Sequence, residues 1–196
     1  KMPEVSERFR TAHGREWNQN DVALMYQSFE KHLFASLQDF TTPVPGVIET
    51  MEQLRREGIR IGSTTGYTDA MMKIAQGYTV DCLVTPDHLP AGRPAPYMIY
   101  RNMTELAIPS VDEVVKVGDT IADIREGLNA KVCSVGVITG SNELGLTEEE
   151  YKTMPEPELY TLKQEVRERM MAAGAHYVLD NIRELPDLVH NLMNKK

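Results

Sequence analysis

The sequence is poor in the features that mark several large classes of protein. It has only two cysteines, Cys82 and Cys133, and both lie in apolar, strand-like runs, so we expect buried, reduced thiols rather than a disulfide. No apolar run approaches the roughly 18 residues that suggest a membrane span, and no signal-peptide pattern is found. These observations predict a cytoplasmic protein without a membrane partner.

Positive charge is also in short supply. There are 21 lysines and arginines against 29 acidic residues, a net charge of -8, which argues against nucleic acid as the main partner. An anionic small-molecule substrate remains compatible, because a few local cations and one metal ion override the global sign. The five histidines show no HxH or HExxH spacing, so a zinc site is not expected.

Hydrophobic periodicity divides the chain into two parts. Residues 21–37 carry an apolar residue at every third or fourth position, which predicts an amphipathic helix after a shorter helix at residues 5–13. The members of this stripe are Val22, Met25, Phe29 and Leu33. Residues 39–46 are rich in turn formers and predict a linker. We therefore assign residues 1–42 and 43–196 to separate domains.

From residue 47 onward, strand and helix patterns alternate. The predicted strands are 60–65, 81–85, 114–117, 132–138 and 177–179, and the predicted helices are 47–57, 68–75, one that begins at Pro94, 121–130, 158–173 and 182–193. Such alternation implies parallel strands joined by right-handed crossovers, so we predict a doubly wound α/β sheet with a Rossmann-like core. Ligands bind such sheets beyond the carboxyl ends of the strands.

Two of the predicted strand ends carry groups that suit an anion. Thr65 and Gly66 close the first strand, where a hydroxyl and closely approaching backbone amides can face an oxyanion, although an ordinary turn has the same composition. Arg93 stands one residue before the helix predicted at Pro94. Its guanidinium and the helix amides can hold one phosphate, with a solvated surface arginine as the simpler alternative.

A third strand end carries two carboxylates. Asp119 follows the strand at 114–117, and Asp123 lies four residues on, in the first turn of the next helix. Two carboxylates at this spacing can face one point and suit a hard cation such as Mg²⁺. Helix capping explains one of these acids but leaves the other without a reason.

Three features follow one another along the chain: a threonine after a strand, a basic residue before proline, and a strand end with the pattern Gly-Asp-x-x-x-Asp. In this order they resemble motifs II, III and IV of the haloacid dehalogenase superfamily. The resemblance implies that Thr65 grips a phosphoryl oxygen and that Arg93 balances its charge. It also implies that Asp119 holds magnesium, with Asp123 as a direct ligand or as a residue behind the ligands.

One branch of that superfamily, the phosphonoacetaldehyde hydrolases, is similar over nearly the whole chain from about Met2. The similar segments are 62–68, 84–87, 92–94, 116–120, 140–147 and 174–177, and position 93 has the arginine of that branch where most of the superfamily has lysine. The resemblance implies Mg²⁺-dependent hydrolysis of a phosphonate, with Gly66, Tyr67 and Arg93 binding the substrate. It also implies that residues 1–42 are the C-terminal part of a helical cap through which the protein forms a homodimer.

Two groups that this family uses are not found in the sequence. They are the aspartate nucleophile of an Asp-x-Ala-Gly-Thr motif and a cap lysine that forms a Schiff base, and neither role is reassigned to another residue. The nucleophile strand is central in the family, between the strands that end at Thr65 and Asp119, so its absence would leave two inner strands unpaired. We therefore expect the sequence to omit residues, with a second omission near Ala75 and Gln76, and the chain as printed to be inactive.

Two other functions stay open at this point. The same scaffold serves phosphomonoester phosphatases and β-phosphoglucomutase-like mutases, and the cap lysine would discriminate these from a phosphonate hydrolase. A truncated, non-catalytic protein of this fold that acts as a binding partner is the second alternative, since fold alone does not determine function. Two smaller expectations concern Lys116, predicted to be ion-paired rather than catalytic, and residues 147–150, predicted to be a capped helix start.

Overall fold

The computed structural model describes residues 2–37, 41–75 and 79–194. The elements in chain order are α1 (Met2–His13), α2 (Gln19–Ser36), α3 (Val47–Arg56), β1 (Gly62–Thr64), α4 (Asp69–Ala75), β2 (Cys82–Val84), α5 (Tyr97–Glu105), β3 (Val115–Gly118), α6 (Ile121–Ala130), β4 (Cys133–Val137), α7 (Glu148–Thr153), α8 (Glu156–Ala172), β5 (Tyr177–Leu179) and α9 (Leu185–Met193). Short 3₁₀ helices lie at Val111–Glu113 and Ile182–Glu184.

The two helices predicted at the start of the chain are confirmed. Asn18 caps α2 by accepting hydrogen bonds from the backbone amides of Asn20 and Asp21, and the Asp21 carboxylate accepts one from the Asn18 amide in return. Arg15 pairs with Asp21 at 2.6 Å. The hydrogen bond from Arg15, followed by that from the Asn18 amide, lowers the pKa of Asp21 to about 2.

All strand pairs are parallel, as predicted, but they form two sheets. In one sheet β1 pairs with β2, and in the other β4 lies between β3 and β5. Within the described ranges, β1 and β3 each have a strand partner on one side only. The strand order is thus interrupted between the two strands that lead to Thr65 and Asp119.

Helices cover both faces, which confirms the doubly wound arrangement. On one face α6 and α8 bury Ile124, Val166 and Met170 against the three-stranded sheet. On the other face Leu54 of α3 and Leu185 of α9 pack against β4 and β5. Full burial of an aliphatic side chain of this size stabilises the fold by roughly 1.5–3 kcal/mol. Because α5 packs on β1 and β2 and also contacts α6, these helices join the two sheets.

The prediction that a helix begins at Pro94 is wrong. The chain turns at residues 92–95, where the Ala95 amide donates to the Gly92 carbonyl at 3.1 Å, and α5 begins at Tyr97. Pro96 is the reason, since a proline disfavours helical backbone at the residue before it. The closing helix is also divided, into a 3₁₀ turn and α9.

The remaining elements match their predicted bounds within about three residues at each end. The capped helix start is confirmed, because Thr147 and Glu150 form a reciprocal capping box at the start of α7. Gln76, where we expect an omission, lies outside the described residues, as do residues 39 and 40 of the predicted linker.

The two cysteines are half-buried, free thiols in β2 and β4. Burial raises the pKa of both thiols, which keeps them protonated and unreactive. None of the helices in the described part of the chain combines the length and apolar character needed to cross a bilayer.

Candidate active site

The residues predicted to carry chemistry lie beyond the carboxyl ends of β1 and β3. Thr65 extends β1 by one hydrogen bond, its amide donating to the Val84 carbonyl at 3.3 Å. Its hydroxyl then accepts a hydrogen bond from the Tyr67 amide at 3.1 Å, which closes a tight turn. Gly66 and Tyr67 are exposed at this turn, the tyrosine to 37%. A solute at this edge can therefore reach their backbone and the phenol.

Arg93 brings the two strand ends together. Its Nη1 donates to Oδ1 of Asp123, and its Nη2 lies 3.3 Å from the point where a Cβ on Gly66 would stand. Glycine at position 66 thus allows the guanidinium to approach the turn after β1. Because α5 begins only at Tyr97, the prediction that Arg93 directly precedes a helix N-terminus is wrong. The cation is held by a carboxylate instead.

Asp123 is buried, with an exposed fraction of 2%. Its Oδ2 accepts from the Thr120 hydroxyl at 2.6 Å, and its Oδ1 lies 3.0 Å from Nζ of Lys116. Burial alone would raise the pKa of Asp123, but Lys116, Thr120 and Arg93 together lower it, so the carboxylate is charged at neutral pH. Thr120 is the N-cap of α6, so helix capping explains neither predicted metal-binding aspartate.

Asp119 is held by a loop that follows β4. Oδ2 of Asp119 accepts two hydrogen bonds from Asn142, from the backbone amide and from Nδ2, both at 3.0 Å. The next residue, Glu143, accepts from the amide of Ile121 at 3.2 Å. The loop therefore contacts the segment after β3 at Asp119 and at Ile121, on either side of the N-cap residue Thr120. Sequence reasoning gave Asn142 no role, because 23 residues separate it from Asp119.

A buried ion network lies directly beneath these groups. Nζ of Lys116 is 2.7 Å from Oγ1 of Thr64, 2.8 Å from Oε2 of Glu126 and 3.0 Å from Oδ1 of Asp123. The prediction that Lys116 is ion-paired is confirmed. Glu126 was missed by sequence reasoning, and the signal available was its position three residues after Asp123 and four before Ala130, on the buried face of α6.

The carboxylates suit a magnesium ion in a limited way. No group of three or more His, Cys, Asp or Glu side chains is placed to surround a metal within the described ranges. Mg²⁺ does not need one, since it commonly takes one or two protein carboxylates and fills its shell with water and substrate oxygens. Half-buried Asp119 meets that requirement, whereas both oxygens of Asp123 already accept hydrogen bonds.

Known proteins resemble this chain in sequence over most of its length. Residues 5–131 match a family model described as haloacid dehalogenase-like hydrolase. A phosphonoacetaldehyde hydrolase of Parabacteroides distasonis is 66% identical over 200 residues, which cover 99% of this chain and 76% of the relative. Another, of Bacillus cereus, is 44% identical over 197 residues, which cover 97% of this chain and 75% of the relative.

A solved structure is similar over the same extent. The crystal structure of a phosphonoacetaldehyde hydrolase-like protein from Oleispira antarctica has a TM-score of 0.90 and 30% identity, and the match covers 98% of this chain and 72% of that one. On these grounds the chain belongs to the phosphonoacetaldehyde hydrolase family of the haloacid dehalogenase-like hydrolases.

Proposed function

We propose that this protein hydrolyses the carbon–phosphorus bond of phosphonoacetaldehyde to acetaldehyde and phosphate. The observation that carries the proposal is the Arg93 guanidinium, which donates to Asp123 and lies beside the turn at Gly66. A cation fixed beside a glycine turn at the carboxyl edge of a parallel sheet suits a phosphoryl group. The relatives named for this reaction support the choice of substrate.

Each residue at the edge has a proposed part in binding. The Thr65 hydroxyl donates to one phosphoryl oxygen, and the Gly66 backbone leaves space for the phosphoryl group to approach closely. Arg93 offers further N–H donors and neutralises developing charge, which is the largest contribution to catalysis at sites of this kind. The exposed Tyr67 phenol lies at the same turn and contacts the substrate from the side.

Mg²⁺ is the proposed cofactor, with Asp119 as the ligand that this chain supplies. When bound, the ion spreads the negative charge that develops on the phosphoryl oxygens. Asn142 fixes the Asp119 carboxylate by holding one of its oxygens with two N–H groups. Asp123 stands behind this ligand and orients Arg93, because Lys116, Thr120 and Arg93 occupy both of its oxygens.

Breaking a carbon–phosphorus bond at neutral pH requires an electron sink. We propose that a lysine outside this sequence condenses with the substrate aldehyde, releasing water and leaving an iminium. An aspartate outside this sequence then attacks phosphorus, and the electron pair of the broken bond passes to the iminium to give an enamine. Water releases phosphate from the aspartate, and hydrolysis of the enamine gives acetaldehyde and regenerates the amine.

The division of the sheet supports a place for that aspartate. β1 and β3 belong to different sheets, and within the described ranges each lacks a strand partner on one side. Unpaired backbone groups at an inner position are unfavourable. A strand that carries the nucleophile between β1 and β3 would pair with both and would set the aspartate between Thr65 and Asp119. We propose this arrangement, with residues 43–196 as the core domain.

We also propose that residues 1–42 belong to a helical cap and that the protein forms a homodimer through it in the cytoplasm. α2 supports the dimer, because four of its large apolar side chains share one face of the helix and are 40–58% exposed. They are Val22, Met25, Tyr26 and Phe29. A second copy that packs on this face would remove those side chains from water.

The proposed function is tested by acetaldehyde release from phosphonoacetaldehyde, using the whole protein with the aspartate and the lysine proposed above. Acetaldehyde is followed directly by ¹H NMR, with Mg²⁺ and then with excess EDTA. Turnover that stops with EDTA and returns with Mg²⁺ is the expected result. Phosphate release without acetaldehyde would refute the substrate assignment. Borohydride added with the substrate should block turnover permanently if a Schiff base forms, and unchanged turnover after this treatment would refute the lysine step.

A further inference from the structure

Two members of the buried ion network, Lys116 and Glu126, have no direct part in the chemistry proposed above. Lys116 lies on β3 with 10% of its side chain exposed, and Glu126 on α6 is fully buried. One oxygen of Glu126, Oε1, has no hydrogen-bond partner in the described part of the chain. A buried charge pair is weak evidence for stability, because desolvation offsets most of the attraction. Its presence here therefore needs another reason.

The three acceptors around Lys116 belong to different elements. Thr64 is the last residue of β1, whereas Asp123 and Glu126 lie one turn apart on α6. An ammonium has three N–H donors, and all three have acceptors here. The Thr64 hydroxyl in turn donates to Oε2 of Glu126 at 3.0 Å. Thr64 therefore accepts a hydrogen bond from Lys116 on β3 and donates one to Glu126 on α6.

The network connects the two groups proposed to grip the phosphoryl. Thr64 immediately precedes Thr65, and Asp123 holds Arg93. No ladder hydrogen bond joins β1 to β3 within the described residues, so Lys116 makes a direct polar link between their two sheets. α6 packs tightly against this link, since a Cβ on Gly127 would lie 3.2 Å from Cβ of Lys116.

We infer that Lys116 and Glu126 are positioning residues for phosphoryl binding. The ammonium sets the separation of Thr65 and Arg93 by holding Thr64 and Asp123 at the same time. Glu126 is a second counter-ion for Lys116, so that Lys116 and Arg93 do not compete for the Asp123 carboxylate. This inference rests on the proposed function, because it assumes that Thr65 and Arg93 bind the same phosphoryl group.

Thr64→Val and Thr64→Ser test the link between the sheets. Valine has nearly the same shape as threonine but lacks the hydroxyl, whereas serine keeps it. The loss of hydrogen bonds to charged groups should weaken binding of inorganic phosphate about tenfold to a hundredfold in Thr64→Val, and kcat/KM should fall by a similar factor. Thr64→Ser should stay within about threefold of the unaltered protein. Phosphate binding is measured by ³¹P NMR in the presence of Mg²⁺.

A double variant separates positioning from stability. Lys116→Met with Glu126→Leu replaces the ion pair by apolar side chains, which commonly restores stability that either single change removes. We expect the melting temperature to recover while phosphate affinity and kcat/KM stay low. Lys152→Met, in the exposed pair of Lys152 with Glu148 on α7, is the matched control and should leave all three quantities unchanged.

Either of two results overturns the inference. One is a Thr64→Val protein with phosphate affinity and kcat/KM equal to those of the unaltered protein. The other is a folded double variant with the same two values unaltered. If the double variant does not fold, the valine and serine pair decides alone. Failure of the proposed function is seen separately, as the absence of acetaldehyde release by the unaltered protein.

Discussion

Replacement of Arg93 by lysine is the substitution that probes the site most sharply. It keeps the positive charge and removes the planar fork. The arginine uses one terminal nitrogen for Asp123 and places the other beside Gly66. A lysine ammonium is a single compact charge, and it cannot donate to Asp123 and reach the turn at Gly66 at the same time. We therefore expect lysine to keep the contact with Asp123 and to lose the approach to the phosphoryl group.

The size of the effect follows from the interaction that is lost. A hydrogen bond to a charged group contributes about 1.5–3 kcal/mol. This corresponds to a fall in kcat/KM of about 10- to 150-fold, since 1.4 kcal/mol is tenfold. The free energy of unfolding should change by less than about 1 kcal/mol, because Asp123 keeps Lys116 and the new lysine as partners.

The assay is acetaldehyde release at several substrate concentrations, with the free energy of unfolding measured in urea on the same samples. Arg93→Met serves as the second variant, and we expect it to lose more activity and more stability than Arg93→Lys, since it leaves Asp123 with one cation fewer. An Arg93→Lys protein with kcat/KM within twofold of the unaltered protein would refute the role of the guanidinium fork.

Three further predictions concern the surroundings of the site and the start of the chain. Gly66→Ala places a methyl group 3.3 Å from Nη2 of Arg93. The crowding should cost roughly 1 kcal/mol, so steady-state kinetics should show kcat/KM reduced about fivefold. An unchanged kcat/KM would contradict the close approach of Arg93 to this turn. Asn142→Ala should weaken Mg²⁺ binding about 10- to 100-fold in calorimetry, as loss of a residue that orients a metal ligand does, and Asn20→Ala should not. Arg15→Gln should raise the pKa of Asp21 from about 2 toward its ordinary value, measured by NMR titration. Because the folded pKa is the depressed one, the contribution of Asp21 to stability is present above about pH 4 and is lost as the pH falls toward 2; a pKa that does not move would refute the pairing.

Local signals explain why most of the fold was predictable. The alternation of strands and helices after residue 47 rests on short apolar runs and turn residues, which act within a few positions. The helix at Ile121–Ala130 was predicted at its observed bounds. The start of α5 was misplaced because Pro94 suits a first helical turn, while a second proline at position 96 excludes helical backbone just before it.

The site was predictable in part for the same reason. Asp119 and Asp123 are four residues apart, so the local backbone alone predicts that their side chains point the same way. Arg93 was identified because it stands between two other motifs in the order that the superfamily has. Glu126 and Asn142 were missed because their meaning depends on distant partners. A glutamate on a helix is normally solvated, and the Lys116 ammonium and the Thr64 hydroxyl, both from other elements, make its burial tolerable.

Local patterns alone do not give the division into two sheets, and the gap between the strands that lead to Thr65 and Asp119 was expected only from the family resemblance. Strand pairing depends on contacts between residues far apart in sequence, and apolar patterns do not say which strands are neighbours. The register of Val135 between Val117 and Tyr177 is one example of information that appears only in the folded chain.

The central claim is that this protein breaks a carbon–phosphorus bond, and one NMR experiment tests it most directly. The protein is incubated with phosphonoacetaldehyde and Mg²⁺ while ³¹P spectra follow the phosphonate and phosphate signals and ¹H spectra follow acetaldehyde. We predict that the phosphonate signal is replaced by phosphate, with one acetaldehyde formed for each phosphate. A phosphonate signal that persists, in a sample that hydrolyses a phosphomonoester under the same conditions, would contradict the account.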